Sequence, residues 1–563
     1  MKRILLLLLI LCLVSPIQSQ TNYPSDYFRS PIDFRILLSG TFGELRSDHF
    51  HTGIDIKTRG VEGASVFAAA DGYVSRVKIS AFGTGKTIYL THPNGYVTVY
   101  GHLSKLEDSL AIFVKQQQYK RKSFEVDLFP KKDQFFYKKG DIIAFSGNSG
   151  SSGGPHLHFE IRDKKTQEPL NPLLFGIEVK DYIRPTIRSI RVYPIGKKPF
   201  NLGLSGWGEN YHLKAGDTIG MPKLFYLGIN TIDKQNDSKN NNGVYEVELF
   251  LDSNKVYGNR QERLNFSTGR YINTFIDYGY YSKHKRRYQR AFVSSNNRLK
   301  IYTQVKDNGL IKLPDKRLHQ IRYQVKDANG NISQLNFYAY GEDENKFESN
   351  PIDTLKKAVF YSDRENVFES KKLKLFLPIN ALYDSLYFHF DVLPSDKKSY
   401  SPIYRIHQKE VPLHTFVKLS IEIDSIPESI KDKLLIARIE SGSYSTSTIN
   451  WKNNWATSSI RNFGDYTLVA DTVPPQIKWI NSSKNKTIQT VAKLSFIIKD
   501  ELSGIKSYNG YLNGEWVLFE YDAKNNLLFY TIEPKRLLDE NKIKVKVIDV
   551  LGNKSLLERT FNK

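Results

Sequence analysis

Gly154-Pro155-His156-Leu157-His158-Phe159-Glu160-Ile161 is the stretch on which the reading of this 563-residue chain turns. Pro155 closes a glycine-rich segment (Gly147, Gly150, Gly153, Gly154), and the residues after it alternate as a strand leaving a turn. His156 and His158 are two apart, so on a strand they share a face, about 7 Å apart at Cα, and their rings can converge on one site. The glycines open a strand rather than a helix, which excludes a dinucleotide-binding turn.

A second pair of metal-capable side chains stands upstream in His51-Thr52-Gly53-Ile54-Asp55. On a straight strand, residues four apart lie about 13 Å from each other, too far to share an ion. His51 and Asp55 converge only if the chain bends, and Gly53 is the residue that permits a bend. Catalytic zinc takes three protein ligands and keeps a fourth position for water. Cys12 is the only cysteine, so thiolate catalysis, cysteine-ligated zinc and disulfide staples are excluded from the mature chain. Nitrogen and oxygen donors without sulfur make zinc the leading metal. Spacing leaves open whether both His156 and His158 are ligands.

Residues 36–175 hold six of the twelve histidines (His49, His51, His92, His102, His156, His158). Gly72–Val77 and Tyr96–Tyr100 alternate as strands, and long helical periodicity is absent, so an antiparallel β domain is expected. Within it, about 115–132 is polar and rich in Lys and Gln, which reads as an insertion in a surface loop. His49 reads as a groove residue and His92 as a turn or packing residue. Gly83-Thr84-Gly85-Lys86-Thr87 mimics the end of a phosphate loop, but Ser80 stands where its first glycine belongs and a strand follows, so it is rejected.

Four motifs stand in order: Phe50-His51-Thr52-Gly53-Ile54-Asp55, Ala68-Ala69-Ala70-Asp71-Gly72, Tyr100-Gly101-His102-Leu103 and Gly154-Pro155-His156-Leu157-His158. Together they resemble the M23 (LytM, lysostaphin-type) peptidases over residues 36–175. The resemblance implies an antiparallel sheet with its site in a groove between loops. It also implies one Zn2+ per chain held by His51, Asp55 and His158, with His102 and His156 as catalytic histidines. His156 would act as general base and His102 would donate to the oxyanion, although these two roles are interchangeable on sequence grounds. The implied function is hydrolysis of peptide cross-links in bacterial peptidoglycan. The alternative is a non-catalytic envelope scaffold, or an activator of wall amidases, with a peptidase-like domain.

From about residue 177 the chain changes to short β-rich runs separated by Asn, Asp, Gly and Ser. Two segments share one pattern: Phe225–Asp233 leads on to Asp327-Ala328-Asn329-Gly330-Asn331, and Leu494–Asp500 leads on to Asp549-Val550-Leu551-Gly552-Asn553. Such strands ending in Asp-x-x-Gly-Asn turns resemble bacterial Ig-like sandwiches. The expected fold class is therefore mainly β, with an antiparallel β-sheet peptidase domain followed by several β-sandwich (Ig-like) modules. The expected order is a signal peptide (1–19), a peptidase domain (20–176), an Ig-like domain (177–345), a β-rich domain of no recognised type (346–470) and a second Ig-like domain (471–563).

Lys2 and Arg3 followed by the apolar run Ile4–Val14 give a signal peptide too short to remain as a spanning helix. The expectation is an exported protein of the periplasm or cell surface with no transmembrane helix in the mature chain. The net charge of +22 is spread without a dense basic run; it suits solubility or an anionic envelope surface, and nucleic acid is not an expected partner. Peptidoglycan peptides are the expected partners, with other envelope proteins reached through the C-terminal β domains.

Overall fold

The structure, a computed structural model, describes residues 23–350, 353, 356–424, 426–480 and 493–563. The expected signal peptide and Cys12 lie outside the described residues. The chain is mainly β, as its alternation implies. Its first unit is built on an antiparallel sheet of Leu38–Gly40 (β1), Ile54–Lys57 (β2), Gly72–Ile79 (β3), Thr87–Thr91 (β4), Tyr96–Gly101 (β5), Val126–Leu128 (β6) and His156–Asp163 (β7). The strands run in the order β1-β2-β7-β5-β4-β3-β6, with two short strands at the margins.

β7 is central, and its alternation decides what each face does. Leu157, Phe159 and Ile161 point into the core with Leu38, Ile54, Val74, Ile88 and Tyr100. His156, His158 and Glu160 therefore point to the opposite face. Register places His158 beside Asp55 of β2 and Gly101 of β5, so the residue after β5, His102, arrives beside it.

The stretch expected to be a surface loop differs. Asp108–Arg121 is an α-helix (α1), and Val126–Leu128 joins the sheet. The Glu107 carboxylate caps α1 by accepting from the backbone N–H of Ser109 and Leu110 at 3.0 and 3.3 Å. Only Leu110, Val114 and Gln118 are buried, one side chain per turn. So thin an apolar stripe leaves little helical periodicity in the sequence.

Further sheets follow in pairs. Residues 186–341 form two six-stranded sheets around a core that includes Ile190, Phe225, Tyr323 and Phe337. Two five-stranded sheets within 366–470 enclose Leu375, Leu419, Ile436 and Phe463. Two four-stranded sheets within 476–562 enclose Phe496, Phe519 and Val545. This last pair returns to the first unit. Trp516 meets Tyr119 of α1 edge-on at 5.3 Å, and Lys86 pairs with Glu520 at 2.7 Å.

Candidate metal centre

The chain bends at Gly53, just before β2, and that bend brings His51 back over Asp55. The need for glycine there is steric. A Cβ on Gly53 would stand 2.4 Å from the Phe159 carbonyl oxygen of β7. The close approach of these two backbones sets His51 and His158 against each other, with ring centroids 5.0 Å apart.

Three donor atoms meet. His51 Nε2 lies 3.0 Å from Asp55 Oδ1, His158 Nδ1 lies 2.9 Å from the same oxygen, and the two nitrogens are 3.2 Å apart. All three side chains are buried. Two imidazole nitrogens and a carboxylate oxygen in one cluster suit a divalent metal with an open fourth position. Of the residues singled out in the sequence, His51, Asp55 and His158 form this cluster, and His102 and His156 flank it. The His102 ring is 4.7 Å from that of His156 and 6.0 Å from that of His158. His156 Nε2 is 3.4 Å from Asp55 Oδ1.

Outer partners fix each ring. His51 Nδ1 is 2.8 Å from the Thr41 carbonyl, which can only accept, so the proton sits on Nδ1 and Nε2 is bare toward the cluster. His158 Nε2 lies 2.8 Å from Glu160 Oε1, so a ring with one proton carries it on Nε2 and Nδ1 is the atom a metal would take. His102 Nδ1 donates to the Ser149 carbonyl and His156 Nδ1 to the Gly154 carbonyl, each at 2.8 Å. Each of the four rings thus fixes its outer nitrogen and turns the other toward one place. His102 holds this position with φ of 59°, a left-handed backbone that a residue with a Cβ adopts at a cost.

The electrostatics follow the contacts. Burial raises Asp55, yet its contacts with His51, His156 and His158 outweigh it and hold the carboxyl well below its usual range. Burial lowers His158, but the bonds to Asp55 and Glu160 push its imidazole up to about 9, so in the metal-free chain Nδ1 keeps a proton that a metal would displace. His102 is buried among imidazoles and lowered to about 3, so it is neutral at pH 7. Glu160 is buried too, and Arg162 and His158 keep it ionised.

Sequence reasoning left three contributors unassigned. Glu160 stands on the same face of β7 as His158, two residues on, and that alternation is the signal that finds it. Arg46 Nη2 holds Asp55 Oδ2 at 3.0 Å, and Thr41 orients His51; both lie on the loop between β1 and β2, where no periodicity marks them. His49 lies at the surface beside Asp48. His92 is buried and bonded to the Asp71 carbonyl and Thr98 Oγ1, each at 2.8 Å. The cluster opens on a cleft of about 730 Å3 lined by Arg35, Leu37, Ser39, Arg46, Lys57 and Gly154.

A buried His/Asp/His cluster with two further histidines on its open side defines a candidate mononuclear metal hydrolase centre. The family comparison agrees: residues 49–120 match peptidase family M23, and the first unit is a peptidase M23 domain. Residues 357–471 match a Zu5-like domain. An uncharacterized metalloprotease of Haemophilus influenzae is 39% identical over 127 residues, 22% of this chain and 22% of that protein. The DD-carboxypeptidase/endopeptidase Mpg of Neisseria meningitidis is 31% identical over 129 residues, 23% of each chain. The murein hydrolase activator NlpD of Escherichia coli is 32% identical over 155 residues, 28% of this chain and 32% of that protein. The chain spans less than a third of the length of each of these relatives.

Proposed function

We propose that the chain is an exported zinc metalloendopeptidase that hydrolyses peptide cross-links of bacterial peptidoglycan. The observation that carries this reading is the convergence of His51 Nε2, Asp55 Oδ1 and His158 Nδ1 beneath the bare nitrogens of His102 and His156. Zinc is the ion the donor set favours, and when bound it acidifies a water and polarises a carbonyl. His51, Asp55 and His158 hold it, and Thr41 and Glu160 keep the two ligand rings in register. His156 takes the proton of the attacking water at Nε2. The bare Nε2 of His102 accepts a hydrogen bond from that water and orients it. The oxyanion-donor role expected of His102 then passes to whichever imidazole carries the abstracted proton.

The likeness to a DD-carboxypeptidase/endopeptidase supports wall peptides as the substrate, and the later β-sandwich units, Ig-like in pattern, would place the domain on the envelope. The likeness to a murein hydrolase activator supports the rival, a non-catalytic activator. Muropeptide mass spectrometry separates the two. Digestion of purified sacculi by the zinc-loaded chain is expected to release cross-link fragments, with close to one zinc per chain by elemental analysis. His158→Ala is expected to lose both. A folded wild-type chain that holds zinc yet leaves the sacculi intact would overturn the proposal.

A further inference from the structure

A second group of metal-capable side chains lies away from the histidines, where the first unit joins the sheets of 186–341. Asp181 precedes the strand Thr186–Pro194, Asp233 follows the strand Leu224–Ile232, and Asp327 follows the strand His319–Lys326. One oxygen from each lies within 4.8 Å of the others, and all three residues are buried. Asp327 sits in the Asp-x-x-Gly-Asn turn noted in the sequence. Asn331 Nδ2 of that turn donates to Asp327 Oδ2 at 2.7 Å and to the Asp181 carbonyl at 3.1 Å.

Clustered acids alone say little, since turns commonly satisfy them. Here they do not. Asp233 is 3% exposed and its Oδ1 has no hydrogen-bond partner, nor does Asp181 Oδ2. Gln235 Oε1 and Asn242 Oδ1, beside Asp233 along the chain or across its backbone bridge, are also buried and unpartnered. Oxygens this deeply buried normally have partners, because each unmet one costs about 1–3 kcal/mol. The charges that act on Asp233 are Asp327 and Asp181, both of the same sign. Three carboxylates that form no ion pair among the described residues are what a bound cation would satisfy.

We propose that Asp181, Asp233 and Asp327 hold a calcium ion at this joint, distinct from the histidine centre. The donor set is all oxygen, which disfavours zinc and suits a hard cation. Magnesium gives up its waters reluctantly and is seldom held in an all-protein cage, so a buried all-oxygen site favours calcium. Gln235 Oε1 and Asn242 Oδ1, buried without a partner, are the neutral oxygens we assign to complete the shell.

The position gives the ion a task. Asp233 and Asn242 bracket the loop 234–241 through paired backbone bonds of 2.9 and 2.8 Å. Ser238 Oγ on that loop donates to the Leu38 carbonyl and accepts from Lys57 Nζ, and Asn240 donates to the Ser39 carbonyl. Leu37, Ser39 and Lys57 belong to the cleft wall that includes Asp55. Calcium would therefore pin the loop that braces β1 and β2 from outside.

The test uses the full chain, stripped by chelator and reloaded with zinc so that the histidine centre is filled. Calcium is then offered in equilibrium dialysis with elemental analysis. Wild type is expected to retain one calcium that Asp233→Asn and Asp327→Asn both lose. Asp471, Asp500 and Asp549 form a similar cluster in the last unit, and any ion there is common to all three proteins, so the difference is the readout. If a variant fails to fold, trypsin on wild type decides. Calcium is expected to slow cleavage at exposed Lys234 and Lys239 by about tenfold or more, since only the closed loop binds it. Equal calcium content in folded variants and wild type, or cleavage indifferent to calcium, overturns the proposal. Neither readout depends on peptidase activity.

Discussion

Glu160 shows how one residue governs a centre it does not join. Its carboxylate accepts from His158 Nε2, so the ring offers Nδ1 and only Nδ1 to the cluster. Glu160→Gln keeps the shape but removes the charge that stabilises this tautomer. Metal affinity is expected to fall about 10–100-fold, read by competition against a chromogenic chelator; an unchanged affinity would remove Glu160 from the account. Gly53 acts at the same scale by being absent as a side chain. Gly53→Ala forces a Cβ onto the Phe159 carbonyl, and overpacking of this kind costs about 1–3 kcal/mol. Denaturant unfolding of the metal-free chain should register that loss, together with weaker metal binding, because the approach of β2 to β7 is what makes the cluster.

At the level of elements, β3 to β5 carry a buried imidazole that does no chemistry. His92 bridges the Asp71 carbonyl and Thr98, and burial lowers it to about 4 from 6.5. A depressed imidazole binds its proton more weakly folded than unfolded. Its contribution is thus complete above pH 6.5 and disappears as pH falls through about 4. Across that window His92 is expected to account for a loss of up to about 3 kcal/mol. The difference between the unfolding curves of wild type and His92→Gln against pH isolates it, and parallel curves would refute it. Helix α1 shows the opposite lesson for sequence reading. Its cap at Glu107 and its stripe of Leu110, Val114 and Gln118 are both local, yet too sparse to stand out from a charged, Gln-rich surface segment.

At the level of the whole molecule, the last pair of sheets docks back on α1. Tyr119 and Trp516 cross the contact edge-on, with Lys115 and Glu533 2.5 Å apart beside them. A double-mutant cycle of Tyr119→Ala and Trp516→Ala is expected to give a coupling of about 0.5–1.5 kcal/mol. Zero coupling would mean that the last unit is not held there in solution. The ion pairs beside this contact are partly exposed and add little, so salt should change the docking only slightly.

Short-range order in the sequence already determined which side chains the site uses. His156-Leu157-His158 alternates on a strand, His51 and Asp55 flank a glycine, and the lack of other cysteines limits the donors to nitrogen and oxygen. It also determined the β character, since alternation is a property of neighbours along the chain. What only the tertiary structure decided depends on residues farther apart in sequence: which nitrogens of His51 and His102 face inward, because Thr41 and Ser149 supply the acceptors; that Gly53 is needed because two backbones approach there; and that Asp181, Asp233 and Asp327, the outer two 146 residues apart, are brought together. Hydrogen-bond direction and burial are set by the partner across the fold, and no local pattern encodes them.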